Sequence, residues 1–105
     1  MIKVIIADDE ALEREVYKLI IKRSFPELVV VAEAETGRQA IELFDIHNPD
    51  IILMDVKMPG INGIDAIEEI RKRSNRSKII VISAYNFFDY AKEALKHGIE
   101  DYLLK

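Results

Sequence analysis

The chain contains no cysteine and no tryptophan, and only four glycines and three prolines in 105 residues. Without cysteine there is no disulfide framework, no thiolate metal site and no cysteine nucleophile, a composition compatible with a reducing compartment. So little glycine and proline excludes a collagen-like repeat and a flexible linker. Basic residues are outnumbered: 15 Lys and Arg stand against 19 Asp and Glu, giving a formal charge of −4 and a pI near 5.2. Neutralising nucleic-acid phosphates needs a basic patch, so direct nucleic-acid binding by this segment is disfavoured. Long apolar runs are also missing. No stretch approaches the roughly 20 residues that cross a bilayer, and the opening run 2–7 is too short for a signal peptide and is followed at once by acids. We expect a soluble, cytoplasmic chain without membrane contact.

The chain does have a composition that is 50% hydrophobic and 32% charged, enough for one small core and too short for a second domain. Short, β-branched apolar runs at 2–7, 28–34, 51–54, 79–82 and 102–104 alternate with longer amphipathic segments. Runs of this kind suit strands covered on both faces, which are usually parallel. The first gap predicts a helix with an inward stripe of Leu12, Val16, Leu19 and Ile20 and a polar side of Glu13, Arg14, Glu15, Lys18 and Lys22. Thr36 is positioned to cap a second helix carrying Ala40, Ile41 and Phe44, which Asn48-Pro49 ends. A third carries Ile64, Ile67 and Ile70, and a fourth Phe87, Ala91, Ala94 and Leu95, closing at Gly98. Strictly alternating strands and helices imply an α/β fold, an open parallel sheet with right-handed crossovers.

Ligands in such sheets collect at the carboxyl ends of the strands. There the sequence places Asp8 and Asp9 after the first strand, Asp55 after the third, Ser83 after the fourth and Lys105 after the fifth. Crowded carboxylates repel, so without a cation at least one should hold its proton unusually tightly. Mg²⁺, with Mn²⁺ as an alternative, takes hard oxygen ligands and leaves positions for a phosphate. An Asp carboxylate can capture a phosphoryl group covalently, and that transfer needs mainly positioning and charge neutralisation. Asp55 is the best nucleophile.

Read singly, these residues say less. Asp8 and Asp9 could cap a helix, Ser83 could sit in a turn, and Tyr102 could be core. Phe87, Phe88 and Tyr90 read as helix packing, Met54 and Met58 as core, His47 and His97 as helix-end cations, and 71–76 as a solvated basic helix end.

Together and in this order, Asp8-Asp9, Asp55 within Asp50-Ile51-Ile52-Leu53-Met54-Asp55-Val56-Lys57-Met58-Pro59-Gly60, Ser83 and Lys105 span the whole chain, which resembles the receiver domain of a two-component response regulator. The resemblance implies a flavodoxin-like (CheY-like) three-layer fold with strand order 2-1-3-4-5. It implies that Asp9, Asp55 and the main-chain carbonyl of Lys57 ligate Mg²⁺, with Asp8 acting through water and hydrogen bonds. It further implies that Asp55 accepts a phosphoryl group from a sensor histidine kinase, that Lys105 and Ser83 engage phosphoryl oxygens, that Tyr102 is a switch aromatic, and that Lys57 and Tyr85 tune phosphoryl lifetime. Such a domain is no turnover enzyme beyond self-phosphorylation and self-dephosphorylation at Asp55. Residues 83–91 with 98–105 most resemble regulators with an AraC-type DNA-binding output domain. In the family the lysine is normally followed by proline and a fifth helix, so we expect 1–105 to be a receiver domain truncated after the fifth strand. Apolar surface should then be exposed near the last strands, with homodimerisation or exchange of elements between chains.

Three other readings compete. A haloacid-dehalogenase-like phosphatase also uses an Asp after a strand but expects an acid two residues on, where Lys57 stands. A receiver-shaped binding module that is never phosphorylated has no need of the full acidic set. A dinucleotide-binding domain needs a glycine-rich turn where Asp8 and Asp9 stand.

Overall fold

The computed structural model describes residues 1–84 and 88–105, with side chains from residue 91 onward in the second stretch. Among the described residues strands and helices alternate strictly: β1 (Ile2–Ala7), α1 (Ala11–Ser24), β2 (Leu28–Ala34), α2 (Gly37–His47), β3 (Ile51–Met54), α3 (Gly63–Arg73), β4 (Lys78–Ser83), α4 (Phe88–Lys96) and β5 (Asp101–Leu104). The strands form one parallel sheet in the order β2-β1-β3-β4-β5, the flavodoxin-like arrangement. After β1 the chain turns outward to β2 and then returns to place β3 on the other side of β1. The order therefore reverses between β1 and β3, and their carboxyl ends flank a crevice.

Period-two alternation along the strands divides the core into two layers. Ile52, Met54, Ile79 and Val81 face α2, α3 and α4 and bury Phe44, Ile67 and Ile70. Ile51, Leu53, Val4 and Ile6 face the other way, toward Tyr17 and Ile21 of α1. The expected helix signals are present: the Thr36 hydroxyl accepts from the Gln39 N–H at 3.1 Å, Asn48 closes α2 with φ 46°, and Gly98 follows α4 with φ 69°.

In α1 the structure reverses the hydropathy pattern. Leu12, Val16, Leu19 and Ile20 point outward and are 76%, 44%, 49% and 49% exposed, while Arg14, Tyr17 and Ile21 face the sheet. The helix is oriented by what its inner side can bond as well as by what it can bury. Arg14 finds oxygen partners there, and Tyr17 packs its ring while its hydroxyl donates to Glu13 at 3.1 Å. Similarly Arg71 is not a solvated helix end: its guanidinium donates to the carbonyls of His97, Ser77 and Gly98 at 2.8, 2.8 and 3.1 Å, tying the turn before β5 to α3. In α4, Ala94 is buried and Leu95 exposed, while Phe87 and the side chains of Phe88 and Tyr90 lie outside the described residues.

The α1 face of the sheet carries a groove of about 840 Å³ running past Ile80, Ile82, Leu103 and Leu104. Apolar surface is thus exposed at the last strand. No helix among the described residues is long and apolar enough to cross a membrane.

The start of α3 is pressed against the end of β3. A Cβ on Gly63 would lie 2.0 Å from the Asp55 carbonyl oxygen, and the Gly63 N–H donates to the Val56 carbonyl at 2.8 Å. Backbone on both sides leaves no side chain to give way. Gly63→Ala should lower stability by about 2 kcal/mol or more, read as a fall in the urea midpoint; an unchanged midpoint contradicts this packing.

Candidate functional site

Three ladder-like bonds continue the sheet just past its strands. Asp8 N–H donates to the Ala34 carbonyl at 3.0 Å, Asp55 N–H to the Ala7 carbonyl at 2.9 Å, and Lys105 N–H to the Ser83 carbonyl at 2.8 Å. Each bond fixes the backbone from which a functional side chain leaves. The three side chains then meet: the Lys105 ammonium donates to Asp8 Oδ2 at 2.8 Å and to Asp55 Oδ2 at 3.3 Å. Asp8 and Asp55 are only 1% and 6% exposed. A buried carboxylate without a partner is strongly destabilising, so one ammonium serving two carboxylates is what makes this burial tolerable.

The second Asp8 oxygen accepts from the Glu10 N–H at 2.9 Å. Asp9 and Glu10 are exposed beside it, and carboxylate oxygens of Asp8, Asp9 and Glu10 all lie within 4.8 Å of one another. Glu10 is absent from the set predicted by sequence; a third consecutive acid after a strand was its available signal. These donors are all hard oxygens, which suits Mg²⁺ or Mn²⁺ and not a soft metal.

Ser83 closes β4, fully buried, with its carbonyl engaged by Lys105. Tyr102 is half-buried against the core on the α2–α4 side. Lys57 is exposed on the loop after Asp55, and Tyr85 lies outside the described residues. The residue that sequence patterning missed most clearly is Arg14, which is buried at the other side of the Asp8 main chain.

Burial pushes the Asp55 carboxyl above its usual range; the Lys105 charge opposes this and the Asp8 charge adds to it. Desolvation is thus the larger cause, and the crowding of the two carboxylates a smaller one. Burial also pulls on Lys105, yet its hydrogen bond to Asp8 and the charges of Asp55 and Asp8 outweigh it and hold the ammonium above its usual value. For Asp55 the sign follows from proton linkage: the folded state binds its proton more tightly than the unfolded chain, so ionisation lowers stability as pH rises above the unfolded value of 3.8. In metal-free buffer Asp55→Asn should melt a few degrees above the parent at neutral pH, and the two should converge as the pH falls toward that value. A constant gap across the pH range contradicts this account.

Residues 4–105 match the response regulator receiver domain family. The chain is 44% identical over 103 residues to the chemotaxis protein CheY of Thermotoga maritima, covering 98% of this chain and 84% of that protein. It is 41% identical over 104 residues to the transcriptional regulatory protein DegU of Brevibacillus brevis, covering 99% of this chain but 44% of that protein. It thus spans less than half the length of that transcriptional relative. Among solved structures, a LuxR-family two-component response regulator from Aurantimonas sp. superposes with a TM-score of 0.91 at 32% identity, over 98% of this chain and 73% of that one. That relative is of the LuxR family, and none of the three supports the AraC-type resemblance. By sequence over nearly its whole length and by fold, this chain belongs to the response regulator receiver family.

Proposed function

We propose that Asp55 accepts a phosphoryl group from a histidine kinase and that the modified domain changes its interaction face. The observation that carries this reading is the Lys105 ammonium held between Asp8 and Asp55 at the reversal point of the sheet. In the step proposed, an Asp55 carboxylate oxygen forms a bond to phosphorus while the phosphorus–nitrogen bond of the kinase phosphohistidine breaks. The imidazole nitrogen leaves with the electron pair and takes up a proton, and Asp55 becomes an acyl phosphate. Asp8, Asp9, Asp55 and the Lys57 main-chain carbonyl would hold Mg²⁺, which when bound neutralises charge on the transferring oxygens. Lys105 is already desolvated beside Asp55 and pairs with one phosphoryl oxygen. Ser83 donates its hydroxyl to another, and Tyr102 turns inward as Ser83 moves.

In the whole protein the altered face acts on a C-terminal output domain, which we take to be DNA-binding, with homodimerisation as a further consequence. Beyond the self-catalysed gain and loss of the phosphoryl group, no turnover chemistry belongs to this domain. Exposed Lys57 stands where a dehalogenase-like phosphatase needs its acid, which sets that reading aside.

Incubated with Mg²⁺ and a small-molecule phosphodonor, the parent should gain one phosphoryl mass by intact mass spectrometry, and Asp55→Asn should gain none. Labelling of the Asn variant moves the acceptor elsewhere; no gain in a folded parent leaves a receiver-shaped binding module. Lys105→Ala leaves two buried carboxylates without their cation, and breaking such a pair costs about 2 kcal/mol or more. Its melting temperature in chelator should fall by several degrees, and Mg²⁺ should raise it more than it raises the parent's. Equal responses to Mg²⁺ would contradict the arrangement.

A further inference from the structure

Arg14 lies in the first turns of α1, buried on the side facing β2, and its guanidinium reaches three residues on two segments. Nη1 donates to the Asp8 carbonyl at 2.7 Å, Nε to Glu33 Oε1 at 3.1 Å, and Nη2 lies 3.4 Å from Glu35 Oε1. Glu33 is itself anchored from its other oxygen by Lys18 at 2.9 Å. We propose that Arg14 is a positioning residue for the acidic site, one that locks the peptide between Asp8 and Asp9 and so sets how the two carboxylates are presented together.

The physical argument turns on peptide planarity. The Asp8 carbonyl and the Asp9 N–H share one rigid plane, so a bond that fixes the carbonyl oxygen also fixes the direction in which the chain enters Asp9. Asp8 is held in addition by its own N–H to Ala34 and by its side chain to the Glu10 N–H. Asp9 is exposed; the Asp8–Glu10 bond closes over it on one side, and Arg14 holds its peptide from the buried side. The capping residue of α1, Glu10, makes no side-chain cap bond, so helix capping does not supply this constraint. Two acids offset the Arg14 charge, so its contribution to the site is place more than potential. A planar fork makes these bonds in fixed relative directions, which an ammonium cannot reproduce.

The inference rests on the reading of Asp8 and Asp9 as divalent-cation ligands, and its test separates the two. Mg²⁺ binding is measured by titration calorimetry, alongside thermal melts, for the full chain and its variants. The parent should bind and Asp9→Asn should not; a parent that binds no Mg²⁺ overturns the reading and the inference with it. Arg14→Met should bind Mg²⁺ about tenfold more weakly, the scale seen when a group orienting a metal ligand is lost. Arg14→Lys should recover melting temperature without recovering affinity. Arg71→Met removes a guanidinium with as many partners, main-chain carbonyls of Ser77, His97 and Gly98 that precede β4 and β5; it should melt lower yet keep Mg²⁺ affinity within about twofold of the parent. Should Arg14→Met not fold, Glu33→Gln, which frees one arm of the fork, should still weaken Mg²⁺ in the same direction. Full affinity in the Arg14 and Glu33 variants, or an equal loss in Arg71→Met, overturns the proposal.

Discussion

Two carboxylates at neighbouring strand ends, Asp8 and Asp55, share the ammonium of Lys105, and the rest of the site is arranged around that shared cation. Each acid is nearly inaccessible to water, so each must be neutralised, protonated or liganded. Lys105 serves both, one cation for two acids. Burial still acts on Asp55 more strongly than Lys105 compensates, so its carboxyl stays above its ordinary range. A carboxylate in that condition gains from any further cation brought beside it.

Topology makes the arrangement affordable in sequence terms. Asp8 and Lys105 are 97 residues apart and Asp55 and Lys105 are 50 apart, yet parallel strands bring all three ends to one edge. Crossover helices carry the chain back each time, so every strand delivers its last residue to the same side. Gly63 lets α3 begin directly against the Asp55 carbonyl, keeping the following loop close to the edge.

Much of this was legible in the residues themselves. The apolar runs match the strands to within a residue or so, because buried parallel strands have near-continuous hydrophobic sequences. Asp8, Asp55 and Lys105 could be placed together once those runs were read as parallel. What hydropathy could not reach was the orientation of α1. Its apolar stripe of Leu12, Val16, Leu19 and Ile20 faces out, whereas the inner side holds Arg14, whose polar partners come from the turn after β1, from β2 and from the turn after β2. A period-3.6 pattern records where apolar side chains recur and nothing of where oxygen acceptors wait. Arg71 is hidden for the same reason, since its partners are carbonyls of loops closed by the fold.

The two layers do not support the site equally. β1 and β3, which carry Asp8 and Asp55, have packed side chains on both faces. β5 is covered through Tyr102 on the α4 side, while Leu103 and Leu104 remain 43% and 55% exposed. The carboxylates thus leave strands packed on both faces, and the lysine leaves one whose last residues are partly exposed. Lys105 keeps its place by one main-chain bond to Ser83 and by the two carboxylates themselves. The ionic contact then works in both directions: the acids depend on the cation for their charge balance, and the Lys105 ammonium depends on the acids for its place beyond the β4–β5 ladder.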